Sequence, residues 1–92
     1  MADCQIRCIN LSHTNGRHEH ITHVGNPGVW DRRFTVAEVV AFIRAKSDTF
    51  FVLDGYGNRA NVGVVEANPP YIRTYADSVW TDNLLSLTSC PL

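Results

Sequence analysis

The sequence predicts an α+β domain: a single, mostly antiparallel sheet of about five strands with one helix packed on one face, in the order β-β-α-β-β-β. Three observations carry this reading. Short segments along the chain alternate apolar and polar residues with the period of two expected of half-buried strands. One stretch, beginning at Thr35, repeats instead at helical spacing. Groups rich in Gly and Pro, around Gly25, Gly55 and Pro69, fall between segments where the chain would reverse. The 92 residues, 45% hydrophobic and 18% charged, suit one domain spanning 1–92 with a packed core.

Taken in order, Cys4 to Ile9 reads as the first strand, with Cys4, Ile6 and Cys8 on one face and Gln5, Arg7 and Ile9 on the other. The polar run from Leu11 to Arg17, containing Gly16, connects it to a second strand from His18 to Val24. That strand would place His18, His20, Thr22 and Val24 on one face and Glu19, Ile21 and His23 on the other. Gly25-Asn26-Pro27-Gly28 ends it in a turn. Thr35-Val36-Ala37-Glu38 is a capping box, with Phe34 placed to staple against Val39. Val36, Val39, Val40 and Ile43 then form the buried stripe of a helix, and Arg44 and Lys46 complement its carbonyl end before Ser47-Asp48 stops it.

Thr49 to Leu53 is rich in β-branched and aromatic residues, and Asp54-Gly55-Tyr56-Gly57-Asn58 turns it into a partner strand from Arg59 to Glu66. Gly63 in mid-strand marks a bulge or the close approach of another group. After Asn68-Pro69-Pro70, the strand Tyr71 to Ala76 sets Tyr71, Arg73 and Tyr75 against Ile72, Thr74 and Ala76. The chain is expected to leave the sheet after Asp77, and Asp82-Asn83-Leu84-Leu85 to form a short capped helical turn whose leucines close the core.

Eight basic against nine acidic residues give a net charge of -1, which supplies no long-range attraction to phosphate backbones or anionic membranes. No apolar run approaches the ~20 residues of a membrane span, and Met1-Ala2-Asp3-Cys4 lacks the start of a signal peptide. A cytoplasmic location is the expectation. In such a reducing compartment the three cysteines are expected to be free thiols packed as small apolar side chains. Cys4 and Cys8, about 13 Å apart along a strand, are too distant to bridge one another, so any pairing must use Cys90.

A single helix covers only part of such a sheet, leaving Tyr71, Arg73, Tyr75, Arg7 or the histidines on an uncovered face. The candidate ligand site is Tyr71, Arg73, Asp77, Trp80 and Asn83. Arg73 offers a rigid fork of donors to a carboxylate or phosphate, Asp77 would orient it, and Trp80 would supply a stacking face. The competing reading is an internal Arg73–Asp77 pair with Asn83 capping the last turn. The function expected is a non-enzymatic binding or interaction module for a small anionic ligand or a protein partner, with homodimerisation as its simplest form.

The alternatives are a metal- or thiol-dependent enzyme and a single-stranded nucleic-acid binder. His18, His20 and His23, with His13 nearby, are the candidate metal ligands, for zinc. On a strand His18 and His20 would share a face about 7 Å apart while His23 points away. The sequence contains no His-Glu-x-x-His and no close cysteine pair, so no cofactor is expected. Cys8 with His20 or His23 would make a thiol site, lacking oxyanion donors. Gly55-Tyr56-Gly57 opens no helix and so lacks the setting of a phosphate loop. Tyr71, Arg73, Tyr75 and Arg7 would form a stacking platform for nucleic acid, against which the acidic balance counts.

The run Tyr71-Ile72-Arg73-Thr74, the Ala76-Asp77 turn, Asn83-Leu84-Leu85 and the closing Leu87-Thr88-Ser89-Cys90 resemble the signature of a family of small bacterial domains of unknown function. Ile6-Arg7-Cys8-Ile9, His18-Glu19-His20-Ile21 and Asn61-Val62-Gly63-Val64-Val65 are similar to its other segments. Thr88 stands where that family's ending has Pro. The resemblance implies a fold class and no activity.

Overall fold

In the computed structural model, described over residues 2–13, 15–76 and 79–91, the backbone amide of Ile6 donates to Phe51 O at 2.8 Å and that of Arg7 donates to Gly25 O at 2.9 Å. Adjacent residues thus serve different sheets. The expected first strand is two strands, β1 (Ala2–Gln5) and β2 (Cys8–Leu11). β1 runs parallel to β5 (Asp48–Leu53), which continues antiparallel through β6 (Arg59–Val65), β7 (Tyr71–Ala76) and β8 (Val79–Thr81). β2 instead pairs antiparallel with β3 (Ile21–Gly25) and parallel with β9 (Thr88–Ser89), while β4 (Phe34–Thr35) lies on the far edge of β3.

The α+β class therefore holds, but among the described residues the single sheet is corrected to two, of five and four strands. Periodicity reports which face a residue occupies and carries no information on its partner strand, so a strand that changes sheets reads as one run. Burial of Ile6, Cys8 and Ile9 marks the change, because it breaks strict alternation.

Two further segments differ from expectation. His18–His20 is a 3-10 turn, and the strand begins only at Ile21. Arg17 N–H donates to His20 Nδ1 at 2.9 Å and His20 N–H to Arg17 O at 2.9 Å, a local closure that competes with strand pairing. The chain also returns to the sheet after Ala76, where Val79–Thr81 pairs with β7 in the register Thr74 opposite Thr81 and Tyr75 opposite Trp80. The turn at Asn83–Ser86 is present, with no side-chain hydrogen bond from Asp82 capping it. Its Leu84 is fully buried, as expected of a plug for the core.

The helix, α1 (Val36–Arg44), forms for the reasons legible in its sequence. Thr35 Oγ1 accepts from Glu38 N–H at 3.1 Å, and Glu38 Oε1 accepts from Thr35 N–H at 2.9 Å. Phe34 packs on Trp30 and Phe42 with ring centroids 5.0 and 5.6 Å away. Val39 and Val40 are buried against the sheets, with Val36 and Ile43 at the margin of the core. The helix closes in a Schellman motif: Lys46 N–H donates to Ile43 O and Ser47 N–H to Phe42 O, with Lys46 at φ 57°.

Cys8 and Cys90 form a disulfide, with Cα atoms 4.8 Å apart and a sequence separation of 82. This corrects the expectation of free thiols for both and leaves Cys4 as the free cysteine. The expectation rested on an assumed compartment; the fold brings the two residues together by pairing β2 with β9. Gly25 lies over the bridge, where a Cβ would sit 3.2 Å from both sulfurs.

Candidate functional site

The register of β7 fixes the site. Arg73 lies opposite Gly63 on one neighbour, and Thr74 lies opposite Thr81 on the other, so Asp82 falls beside Arg73 at the end of β8. Arg73 Nη2 donates to Asp82 Oδ1 at 3.1 Å and to Thr81 O at 3.4 Å. Among the described residues, Arg73 Nε is buried with no hydrogen-bond partner.

The 3-10 turn supplies the facing wall. His18 is 7% exposed, and its Nε2 is also buried and unpartnered, 3.7 Å from Asp82 Oδ1 and beyond hydrogen-bond reach. Burial holds the imidazole below its ordinary pKa, and the neighbouring Arg73 cation adds to the effect, opposed by Asp82 and Glu19. His18, Arg73 and Asp82, with Gly16, Arg17 and Tyr71, line a cavity of about 490 Å³.

The two clusters of interest in the sequence are thereby merged. Tyr71 and Arg73 line the cavity together with His18. Trp80 lies on β8, 45% exposed, its ring edge-on to Tyr75 and its centroid 5.8 Å from the Arg73 guanidinium carbon. Gly63 leaves room beneath this aromatic pair, because a Cβ there would meet Tyr75 Cε1 at 3.0 Å. Asn83 begins the following turn and lies outside the cavity lining. Asp77 lies outside the described residues.

The remaining histidines go elsewhere. His20 is held by the Arg17 amide and packs edge-on against His13 with ring centroids 4.6 Å apart, and His23 Nδ1 meets Thr22 Oγ1 at 3.0 Å. Among the described residues, no three His, Cys, Asp or Glu side chains converge at metal-binding spacing. Cys8, in its disulfide, offers no nucleophilic thiol. The residue that sequence reasoning missed is Asp82. No local pattern marks it: Asp82 follows β8, and the register of β8 against β7 is what sets it beside Arg73.

Among the described residues no helix is long and apolar enough to cross a membrane. No curated protein and no solved structure matches the chain. The family described as Protein of unknown function (DUF3892) matches residues 5–88, which include β2, α1 and every residue of the cavity wall named above. The chain belongs to the DUF3892 family.

Proposed function

We propose that the protein is a non-enzymatic binding module that holds a small anionic ligand in the cavity between the Gly16–Glu19 segment and β7. One observation carries this reading: His18 Nε2 and Arg73 Nε, on separate elements, are both buried and unpartnered in residues that line the same cavity. Leaving a buried polar group unpaired costs about 1–3 kcal/mol, and an anion reaching both would offset that cost. Arg73 is poised for this because its pairing with Asp82 uses one nitrogen, Nη2, and leaves Nε unengaged.

The test is an NMR titration with acetate, following the Arg73 Nε–H and His18 ring resonances. Saturable shifts at both groups are expected, abolished by Arg73→Ala. That variant loses a pair with an exposed partner, so its melting temperature should fall by only about 4–8 °C, the equivalent of about 1 kcal/mol. Absence of shifts, or loss of binding only in proportion to unfolding, would overturn the reading.

A further inference from the structure

We propose that the ligand of this cavity is an amphipathic carboxylate, its head beside Arg73 and His18 and its aliphatic or aromatic body in the apolar groove alongside α1. The inference rests on the anion-site reading above and specifies the class of molecule. A second cavity, of about 870 Å³, adjoins the first, and Glu19 and Tyr71 line both. Its walls are apolar: Ile21 from β3, Val36, Val40 and Ala41 from α1, and Pro69 and Pro70 from the connection between β6 and β7. Each cavity falls within the roughly 300–1,000 Å³ of small-molecule sites, and together they pair an apolar body with convergent polar groups at one end.

Charge settles which end takes the head. Arg44, on the wall of the apolar groove, is engaged by Glu66, whereas the polar end holds the unpartnered nitrogens of Arg73 and His18. The polar lining also sets the charge of the head. Arg17 and Arg73 are matched by Glu19 and Asp82, and His18 is held towards its neutral form by burial. A monoanion can meet Arg73 without overwhelming that balance, whereas a dianionic phosphate would meet repulsion from two carboxylates close to its site. Tyr71 suits the junction, since its ring presents apolar surface to one side and its hydroxyl a polar tip.

The experiment is a chemical-shift titration of the intact chain with acetate, hexanoate, octanoate, inorganic phosphate and 1-octanol, repeated on Arg73→Ala and Ala41→Glu. Ala41 is an exposed position on α1 that lines the groove, so glutamate there is compatible with the helix and places a like charge beside the ligand's body. Affinity should rise roughly three- to fourfold for each methylene that is buried, so octanoate should be at least tenfold tighter than acetate once two or more of its added methylenes enter the groove. Octanoate should shift the methyl groups of Ile21 and Val40 as well as the Arg73 side chain. Ala41→Glu should weaken octanoate at least tenfold and leave acetate unchanged. Equal affinities for octanoate and acetate, with shifts confined to Arg73 and His18, would overturn the amphipathic ligand and leave the anion site standing. Binding of 1-octanol as tight as octanoate, or no shift with any probe, would overturn both.

Discussion

Reducing the Cys8–Cys90 bridge is a large perturbation of this fold that changes no side-chain volume in the core. The bond closes a loop with a sequence separation of 82, and the chain-entropy relation for that length gives about 4.5 kcal/mol of stabilisation, exerted by restricting the unfolded chain. Little of this is recovered by native contacts, because those around the bridge persist after reduction. In the oxidised structure the Cys90 amide donates to Ile9 O at 3.0 Å, Asn10 Nδ2 donates to Cys90 O at 3.2 Å and both sulfurs are buried, and reduction breaks none of these contacts directly. Set against the roughly 5–14 kcal/mol expected for a domain of this size, the reduced protein keeps its structure with a much smaller margin. Urea unfolding of the oxidised and fully reduced forms, extrapolated to water, should differ by about 4.5 kcal/mol. Thiol titration of the unfolded oxidised chain should find a single reactive group, Cys4. A difference below about 1 kcal/mol, or three titratable thiols before reduction, would refute the reasoning.

Lys46 occupies the left-handed position of the helix C-terminus at φ 57°, where a residue with a Cβ pays about 1 kcal/mol and glycine does not. Lys46→Gly should therefore raise the melting temperature by about 4–8 °C; an unchanged or lower value in a thermal melt would show that the site is unstrained. His18 has a folded-state pKa below the 6.5 of the free imidazole, chiefly through burial and next through Arg73. The unfolded chain thus takes up its proton first, so the stability associated with the neutral ring is complete above pH 6.5 and is lost as pH falls below it towards the folded value. Urea midpoints between pH 7.5 and 5.5 should show this decline, and His18→Gln should flatten it; parallel slopes for the two proteins would count against a buried neutral His18.

The parts of the fold that were legible in sequence are those governed by local chemistry. Thr35 and Glu38 cap α1 by bonds to their own neighbours, and Phe50 and Val52 alternate with Phe51 within one strand. What escaped was pairing over distance. The switch at Ile6 and Arg7 depends on Phe51 and Gly25; β4 and β9 are two residues each, too short to show a period. β8 is little longer, and its recognition depends on the register it takes against β7.

The site was legible to a similar depth. Tyr71 and Arg73 stood out because an arginine between tyrosines on a strand face invites a ligand, and both line the cavity. Asn83 does not, and the partner of Arg73 is Asp82, chosen by the Thr74–Thr81 register. Period-two spacing places His18 with His20 on one face of a strand. The 3-10 turn separates them, burying His18 and turning His20 onto His13.

The handover at Ile6 and Arg7 bears on how the molecule breathes. A segment that bonds to β5 through one amide and to β3 through the next is a weld between layers, and opening either layer strains the other. Sheets that would otherwise exchange their amides as separate cooperative units are joined into one. The two adjoining cavities draw on both sheets, with Ile21 of the apolar one in the four-stranded sheet and Arg73 of the polar one in the five-stranded sheet. Two successive amides, Ile6 and Arg7, thus tie together the sheets that carry the two cavities.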